Sequence, residues 1–352
     1  MHPDYRITVD DGRQLADAEI VEQARLFSVY ESEVWPEDPP MPDEQALAAH
    51  RSLPARLRQT AIRAWAEDTT LAGTVNLHVD PEHDDDPDIY YCFIVVAPSH
   101  RRRGVASRLL AEVVKIARET GRSRLLAWIY AAVPAGDEFA AAIGGGAKFA
   151  GHLNHLPTAE VDRALMEKWV QEGPIRAPDY ELIAWDGPAP DEYVEDFVDL
   201  ALVMNDAPRD DLSINDETLT PALYRERQER SAALGHKSWT IVARRVSDGE
   251  MAGFHEMLWL PHAPKVMHVE ATGVRRDHRG HALGKWLKAA MTLRILDERP
   301  GVTDIRTENA DSNDAMLGIN KEMGYRPMAA AMGWEVQIDD AARWLDGRRA
   351  DQ

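Results

Sequence analysis

The sequence is almost without cysteine and has no long apolar run. Cys92 is the single cysteine, which excludes an internal disulfide framework and any zinc site built from several cysteines. No segment has the roughly 18 consecutive apolar residues that a membrane-spanning helix needs, and the N-terminal residues lack the apolar core of a signal peptide. We therefore expect a cytoplasmic protein without a membrane partner.

Positive charge is also scarce. The chain has 40 Lys and Arg against 60 Asp and Glu, which gives a formal net charge of −20. This charge repels the phosphates of nucleic acids, so we expect no nucleic-acid partner, and it favours a cationic or amine-bearing one. At 352 residues the chain is longer than a single hydrophobic core usually serves, which predicts two domains.

Three landmarks occur twice along the chain at a nearly constant offset. They are an Asp-Gly pair that ends an early strand, an Ala-Gly pair inside a β-hairpin, and a basic loop between a strand and a helix. The pairs are Asp11-Gly12 with Asp186-Gly187, and Ala72-Gly73 with Ala252-Gly253. The loops read HRRRGVA (100–106) and HRGHALG (278–284), and Arg101 and Arg279 lie 178 residues apart. Three landmarks in register predict two copies of one domain.

Each copy reads as a mixed α/β (α+β) domain. The pattern predicts a strand, amphipathic helices, a meander of three strands, a helix, a strand, a helix and closing strands. The helix after each basic loop has an apolar face, formed by Val105, Leu109, Val113 and Ala117 and by Leu283, Leu287, Met291 and Ile295. We expect domains at 1–156 and 179–352, joined by a linking helix at 157–178.

The basic loops have the composition of a phosphate site. A loop of small residues that opens a helix directs several unpaired backbone N–H groups at one point. A P-loop is excluded because only three residues separate Gly280 from Gly284 and no Ser or Thr follows Lys285. A Rossmann site is excluded because it needs parallel βαβ units, whereas an antiparallel meander precedes the loop here. No carboxylate or cysteine nearby completes a set of metal ligands with His278 and His281, so we expect no metal.

The two loops resemble the acyl-CoA pyrophosphate loop of the GCN5-related N-acetyltransferase (GNAT) superfamily, whose pattern is Arg/Gln-x-x-Gly/Ala-x-Gly/Ala. The matching positions are Arg101, Gly104 and Ala106, and Arg279, Ala282 and Gly284. The segment NADSNDAMLGINKEMGY (309–325) resembles a later helix of the family. The chain is thus similar to the tandem GNAT proteins of actinobacteria, among which the mycothiol synthases are one group.

The resemblance implies a mostly antiparallel sheet flanked by helices, with central fourth and fifth strands that splay around the pantetheine arm. It implies acetyl-CoA as co-substrate. The cofactor-binding residues it implies are Val274, Arg275, Arg279, Gly280, His281, Ala282, Leu283, Gly284, Lys285, Asn313 and Asn320 in the second copy, and Val96, Arg101, Arg102, Arg103, Gly104, Val105 and Ala106 in the first.

The catalytic expectation rests on strand 266–275. Its residues His268, Glu270 and Thr272 alternate, so we expect all three on one side of the sheet. The resemblance to the GNAT superfamily implies a carboxylate base on this strand, for which Glu270 is the first candidate and His268 the second. Asn320 takes the position of the usual proton-donating Tyr, which leaves the general acid unassigned because an amide is not a useful proton donor.

The first copy has Tyr90 and Cys92 at the offsets corresponding to His268 and Glu270, and no carboxylate there. We therefore expect a degenerate first copy. The predicted function is acetyl-CoA-dependent N-acetylation of a small, cationic primary amine by direct transfer in a ternary complex. The alternatives are a non-catalytic acyl-CoA-binding or sensor protein, and a protein-lysine or N-terminal acetyltransferase. A monomer with pseudo-two-fold halves and a homodimer both stay open.

Overall fold

The computed structural model describes residues 4–67 and 69–350, and these form two compact units. The N-terminal unit is the chain up to Ala150 together with Asp210–Asn215 and the segment from Ala329 onward. The C-terminal unit consists of Gly151–Arg209 and Asp216–Met328. Both units mix helices with a sheet, which confirms the predicted class.

Among residues 4–67 and 69–157, the first copy contains four α-helices and seven strands. In chain order they are β1 (Arg6–Asp11), α1 (Asp17–Val34), α2 (Asp43–Arg51), β2 (Arg58–Trp65), β3 (Leu71–Val79), β4 (Ile89–Tyr91), β5 (Ile94–Val96), α3 (Val105–Thr120), β6 (Arg124–Tyr130), α4 (Pro134–Ala142) and β7 (Gly146–Pro157).

The second copy repeats this order with one unbroken fourth strand. Its elements are α5 (Arg163–Arg176), β8 (Tyr180–Asp186), α6 (Val194–Ala201), α7 (Pro221–Ala233), β9 (Lys237–Arg245), β10 (Met251–Trp259), β11 (Val266–Val274), α8 (Leu283–Glu298), β12 (Asp304–Ala310), α9 (Asp314–Met323), β13 (Arg326–Gln337) and α10 (Ile338–Ala350).

In the N-terminal unit the fourth strand of the copy is divided into two parts, β4 and β5. Its second part, β5, pairs antiparallel with β3 in the order β1-β2-β3-β5, while its first part, β4, pairs parallel with β6. Residues Ala331–Gln337 of β13 pair antiparallel with the other edge of β6. The division between β4 and β5 therefore opens the sheet at its centre.

In the C-terminal unit the same opening forms without a break in the strand. Strands β8, β9, β10 and β11 are antiparallel neighbours. The parallel pairing of β11 with β12 covers only Val266–His268, so the rest of β11 diverges from β12. The segment Gly151–Pro157 of β7 then pairs antiparallel with β12.

The unit boundaries differ from the contiguous ranges 1–156 and 179–352. Strand β7 begins in the N-terminal unit and ends in the C-terminal one, whereas β13 passes the opposite way, so the copies exchange their closing strands. Helix α5 lies in the C-terminal unit with Met166, Trp169 and Gly173 buried, and is therefore part of a core rather than a linker. Equivalent closing strands can complete either sheet, which is why the repeat alone did not predict the exchange.

The two helices that follow the basic loops occupy the centres of the two cores. Leu109 and Val113 of α3, and Leu287 and Met291 of α8, have no exposed surface. Both helices present the predicted apolar face to the sheet, because residues three and four apart lie on one side of a helix. This packing fixes the start of each helix, and hence each basic loop, beside the divergent strands.

Candidate active site

The two basic loops adopt one backbone conformation. In each, the third and fifth loop residues have positive φ: Arg102 and Gly104 in the first copy, Gly280 and Ala282 in the second. A left-handed conformation is easiest for glycine, and each loop has one glycine at a different one of the two positions. The loops therefore share a geometry that their sequences encode differently.

Both loops leave backbone N–H groups free at a helix start. The first bond of α8 runs from the Trp286 N–H to the Ala282 carbonyl, and that of α3 from Arg108 to Gly104. Neither Gly104 nor Ala282 supplies a side-chain cap. The N–H groups of the first three residues of each helix therefore have no acceptor within the helix, which suits an anionic phosphate.

The leading arginine of each loop orders the loop itself. Nε of Arg101 donates to the Val96 carbonyl, and Nε of Arg279 donates to the Val274 carbonyl, both at 3.1 Å. Arg101 also forms a two-point ion pair with Glu33, whereas Arg279 lies 3.5 Å from Asp206. Arg279 has the weaker ion pair and is the freer of the two guanidinium groups for a ligand.

The opening in the N-terminal unit is a cavity of about 550 Å³. The predicted cofactor residues that line it are Val96, Arg101, Arg102, Gly104, Val105 and Ala106. Apolar side chains, including Phe93, Trp128 and Phe139, line much of the remainder. The cavity thus joins an apolar interior to the phosphate-type loop at one end.

This cavity has no carboxylate on its strands. Cys92 lines it, and burial raises the pKa of the Cys92 thiol to about 12, so the sulfur is protonated at neutral pH and a poor nucleophile. The preceding Asp88 is ion-paired with Arg124 at 2.7 Å. Glu138, on helix α4, lines the cavity but pairs with Arg102. The N-terminal unit therefore has a cavity without a strand-borne base.

The C-terminal unit has carboxylates where the strands diverge, and a β-bulge places them. Glu256 of β10 pairs with Ala271 and the next residue, Met257, pairs with Val269, so Glu270 is an extra residue in β11. The bulge reverses the alternation: His268 pairs with Leu258, whereas Thr272 pairs with His255 on the opposite face. The prediction that His268, Glu270 and Thr272 share one face is therefore wrong.

Sequence reasoning missed Glu256. Its carboxylate is half-buried and accepts a hydrogen bond from Thr240 of β9 at 3.4 Å. Burial, and next the negative charge of Glu270, raise the pKa of Glu256 to about 7, and desolvation raises that of Glu270 as well. The signal was available in the repeat, because the equivalent residue of the first copy, in LAGTVN, is the uncharged Asn76.

Arg275 at the end of β11 is bound within the protein through both its backbone and its side chain. The Arg275 N–H donates to the Ala252 carbonyl, and its own carbonyl accepts from His278. Its side chain bonds the Met251 carbonyl and Asp199. Arg275 is thus occupied, and its role in binding the cofactor stays a prediction.

The remaining predicted residues lie at helix ends and in the core. Asn313 caps α9 by accepting from the Met316 N–H at 3.3 Å. Lys285 pairs with Glu322 at 2.6 Å, and the His281 ring lies 5.6 Å from that of Tyr180. Asn320 is buried and donates to the Asn309 side chain at 2.7 Å. The loop residues Leu283 and Gly284 form the first turn of α8.

Two carboxylates lie near His278 in the fold. Oxygen atoms of Glu250 and Asp277 lie 3.4 Å and 3.6 Å from its Nε2, and these three residues could hold a metal ion. Arg245 forms an ion pair with Glu250, however, and its charge lies where it would repel a cation. The Tyr180 hydroxyl bonds His278 Nδ1 at 2.7 Å, as Tyr5 bonds His100 in the first copy. The tyrosine-histidine pair is therefore a repeated structural contact.

A comparison with protein-family models assigns the chain to a family. The model described as the acetyltransferase (GNAT) family matches residues 22–142 and 203–325, one match in each copy. The chain belongs to the GNAT acetyltransferase family. Proteins of this family use acetyl-CoA, and the predicted tandem arrangement is confirmed. No curated protein matches the sequence.

Solved GNAT structures have the same tandem fold. A tandem GNAT protein from the clavulanic acid biosynthesis pathway has 22% identity and a TM-score of 0.76, over 95% of this chain and 99% of its own. A GCN5-related N-acetyltransferase from Sphaerobacter thermophilus has 14% identity and a TM-score of 0.65, over 96% and 97%. A glucosamine N-acetyltransferase region of a fungal multi-domain β-N-acetylglucosaminidase has 13% identity and a TM-score of 0.62, over 94% of this chain and 38% of that one. At these identities the likeness extends to the fold alone.

Two properties of this GNAT chain complete the description. Within residues 4–67 and 69–350, no helix combines the length and apolar character required to cross a bilayer. The predicted site residues fall into two groups, one in each unit, and among the described residues the C-terminal group has a carboxylate, Glu270, on its divergent strand where the N-terminal group has Cys92.

Proposed function

We propose that the protein transfers the acetyl group of acetyl-CoA to the primary amine of a small, cationic metabolite, and that the reaction occurs in the C-terminal unit. The observation that carries this proposal is the placement of Glu270. Its carboxylate lies in the bulge where β11 leaves β12, on the strand that leads directly to the loop at 279–284. A base at this point lies between the acetyl group and an acceptor that approaches beside α6 and α7.

The proposed mechanism is direct transfer in a ternary complex. The loop from Arg279 to Lys285 holds the pyrophosphate through the free N–H groups at the start of α8. Pantetheine lies along the exposed edge of β11 at Val274. Glu270 removes a proton from the ammonium group, directly or through water, and the free amine then attacks the thioester carbonyl. His268 remains the second candidate for the base.

A screen of amine acceptors tests the proposal. The wild-type chain is incubated with acetyl-CoA and a panel of primary amines that includes amino acids, amino sugars, diamines and polyamines, and free CoA thiol is measured. We expect amine-dependent thiol release, with cationic amines preferred because the chain carries a net charge of −20. Release at the same rate without any amine, or no release at all, would contradict transfer to a small amine.

A second candidate function concerns the N-terminal unit. Its formed cavity and lack of a strand carboxylate support acyl-CoA binding without catalysis. Calorimetric titration with CoA tests this directly. Two binding sites per chain would support a ligand-binding role for the N-terminal unit, and one site would restrict binding to a single unit.

A further inference from the structure

A second carboxylate lies across the sheet from the proposed base. Glu256 is the sixth residue of β10, and its cross-strand partners are Thr240 on β9 and Ala271 on β11. It lies on the face of the sheet that also bears Phe254, which packs against Phe197 of α6. Helix α7 reaches the same carboxylate, with Gln228 as a hydrogen-bond partner. Glu256 thus lies under the two helices that flank the acceptor side.

The β-bulge brings Glu270 to Glu256. In a regular strand the residue between Val269 and Ala271 would pair with its own partner on β10, but here it has none. The unpaired residue is therefore free to direct its side chain to the edge of the strand. The negative charge of Glu270 raises the pKa of Glu256. The other neighbours of Glu256 on this face, Thr240, Gln228 and Tyr224, are uncharged.

We propose that Glu256 and Glu270 form one carboxylate pair that binds the ammonium group of the acceptor, and that the proton taken by Glu270 passes to Glu256, which holds it. This inference rests on the proposed function and makes the substrate class more specific, since a pair of carboxylates suits a primary ammonium ion. The absence of both carboxylates from the first copy, where Asn76 and Cys92 stand at these positions, is the matching negative case.

The electrostatics of the pair suit this role. Two nearby carboxylates disfavour each other's ionisation, and a bound cation relieves that repulsion. A base with a pKa of about 7 is matched to proton removal at neutral pH, whereas an ordinary carboxylate is a weaker base by about 2.5 pKa units. The titratable groups that face Glu256 are Glu270 from β11 and the buried Tyr224 from α7, whose own pKa is raised by burial.

The chemical step is balanced as follows. The ammonium nitrogen gives one proton to the Glu270 carboxylate, which passes it to Glu256, and the nitrogen becomes a neutral amine. The nitrogen lone pair forms a bond to the acetyl carbon, and the carbon–sulfur bond breaks with its electron pair remaining on sulfur. The nitrogen then loses its second excess proton, and the thiolate gains one proton. The net products are the acetamide, CoA thiol and one proton, which Glu256 releases to solvent.

The first test measures the pair without turnover. In protein labelled with ¹³C at the glutamate side-chain carboxyl, the Glu256 resonance is assigned by its loss in Glu256→Gln and titrated by NMR. We expect an apparent pKa near 7 in the wild-type chain and a lower value in Glu270→Gln, because that variant removes the neighbouring charge. An ordinary pKa, or one that Glu270→Gln leaves unchanged, would overturn the pair.

The second test measures its chemical role with 1,4-diaminobutane and acetyl-CoA. We expect Glu256→Gln to lower kcat/KM for the amine about 100-fold and to abolish a rise in rate with pH centred near 7. Asn76→Ala, at the equivalent position of the first copy, should leave both within about twofold. An unchanged Glu256→Gln overturns this inference alone. Absence of transfer by the wild-type chain to every amine overturns the proposed function, and with it the role assigned to the pair.

Discussion

The two copies of the GNAT domain have kept different parts of one site. The N-terminal unit has a cavity of about 550 Å³ and the loop whose sequence fits the family pattern better. The C-terminal unit has Glu256 and Glu270 where the first copy has Asn76 and Cys92. The comparison teaches that a phosphate-type loop and a proton-accepting strand are separable features, so a good loop does not by itself identify the catalytic copy.

The cores of the two units also differ, because the C-terminal core has polar side chains at two positions where the N-terminal core has apolar ones. Leu110 of α3 corresponds to Lys288 of α8, and Val75 of β3 corresponds to His255 of β10. Both polar residues are buried, and the His255 Nδ1 lies 2.7 Å from the Thr272 hydroxyl. Burial lowers the pKa of Lys288 to about 7 and that of His255 well below its ordinary range. At these two positions the C-terminal unit therefore accepts costly buried polar groups where the first copy has apolar side chains.

The largest expected effect separates the copies at the proposed base. Glu270→Gln should lower kcat/KM about 100-fold or more, because removal of a general base typically costs 10²–10⁴ in rate. The matched variant Cys92→Ala should change it less than about twofold, since that thiol is buried and protonated. Initial rates of free CoA thiol release measure both. A larger loss of kcat/KM from Cys92→Ala than from Glu270→Gln would indicate that catalysis occurs in the first copy.

Equivalent helix residues test whether the two cores are packed alike. Leu109→Ala and Leu287→Ala should each lower the free energy of unfolding by about 2–5 kcal/mol, because both side chains are fully buried. Urea denaturation followed by tryptophan fluorescence measures the loss, with the exposed Glu119→Ala as control. A loss below about 1 kcal/mol from either leucine would show that its helix is not packed as described.

The buried lysine gives a difference in pH dependence. Burial lowers the pKa of Lys288 from 10.5 in the unfolded chain to about 7 in the folded one, so folding between about pH 7 and pH 10 releases its proton. The stability of the C-terminal unit should therefore rise between pH 7 and pH 10. Lys288→Leu, which copies Leu110, should remove that rise and stabilise the protein by about 1–2 kcal/mol at pH 7.

Thermal unfolding across that pH range checks the prediction, with the exposed Lys321→Leu as control. A wild-type stability that is flat from pH 7 to pH 10, or a Lys288→Leu variant that keeps the rise, would contradict the assignment of a neutral buried amine.

The smallest expected effect concerns the leading arginines. Arg279→Ala should raise KM for acetyl-CoA about 3- to 10-fold, since one charge-assisted hydrogen bond to the loop is lost. Arg101→Ala makes the same change in the first copy and should leave KM within about twofold, because we place turnover in the C-terminal unit. Steady-state kinetics in acetyl-CoA distinguish the two, and equal effects would remove the distinction between the loops.

The sequence predicts those features that depend on local pattern. The apolar spacing of Leu109 and Leu287, and the small residues of both loops, predict helices and loops that the structure contains. The bulge at Glu270 is different, because the sequence of the strand still alternates across the extra residue. In the structure the extra residue puts His268 and Thr272 on opposite faces of the sheet. The register of a strand depends on its pairing with the neighbouring strand, so the residue pattern of one strand alone does not predict it.

Contacts between distant segments escaped prediction for a similar reason. Glu256 and Glu270 come together only through the pairing of β10 with β11, and nothing in either strand alone marks the pair. The exchange of β7 and β13 follows from the likeness of the copies, since each closing strand fits either sheet. The carboxylate pair could have been noticed from the repeat, because both positions carry an acid only in the second copy.

The central claim, that turnover belongs to the C-terminal unit, is tested most directly by placing one negative charge in each loop. Gly284→Glu and Ala106→Glu are equivalent substitutions in the first turns of α8 and α3, and a Cβ on Gly284 meets only the Ile319 side chain, at 3.4 Å. The measured quantity is kcat/KM for acetyl-CoA. The account predicts a loss of about 10-fold or more for Gly284→Glu, through repulsion of the pyrophosphate, and a change below about twofold for Ala106→Glu. The reverse pattern, with activity lost only in Ala106→Glu, would contradict it.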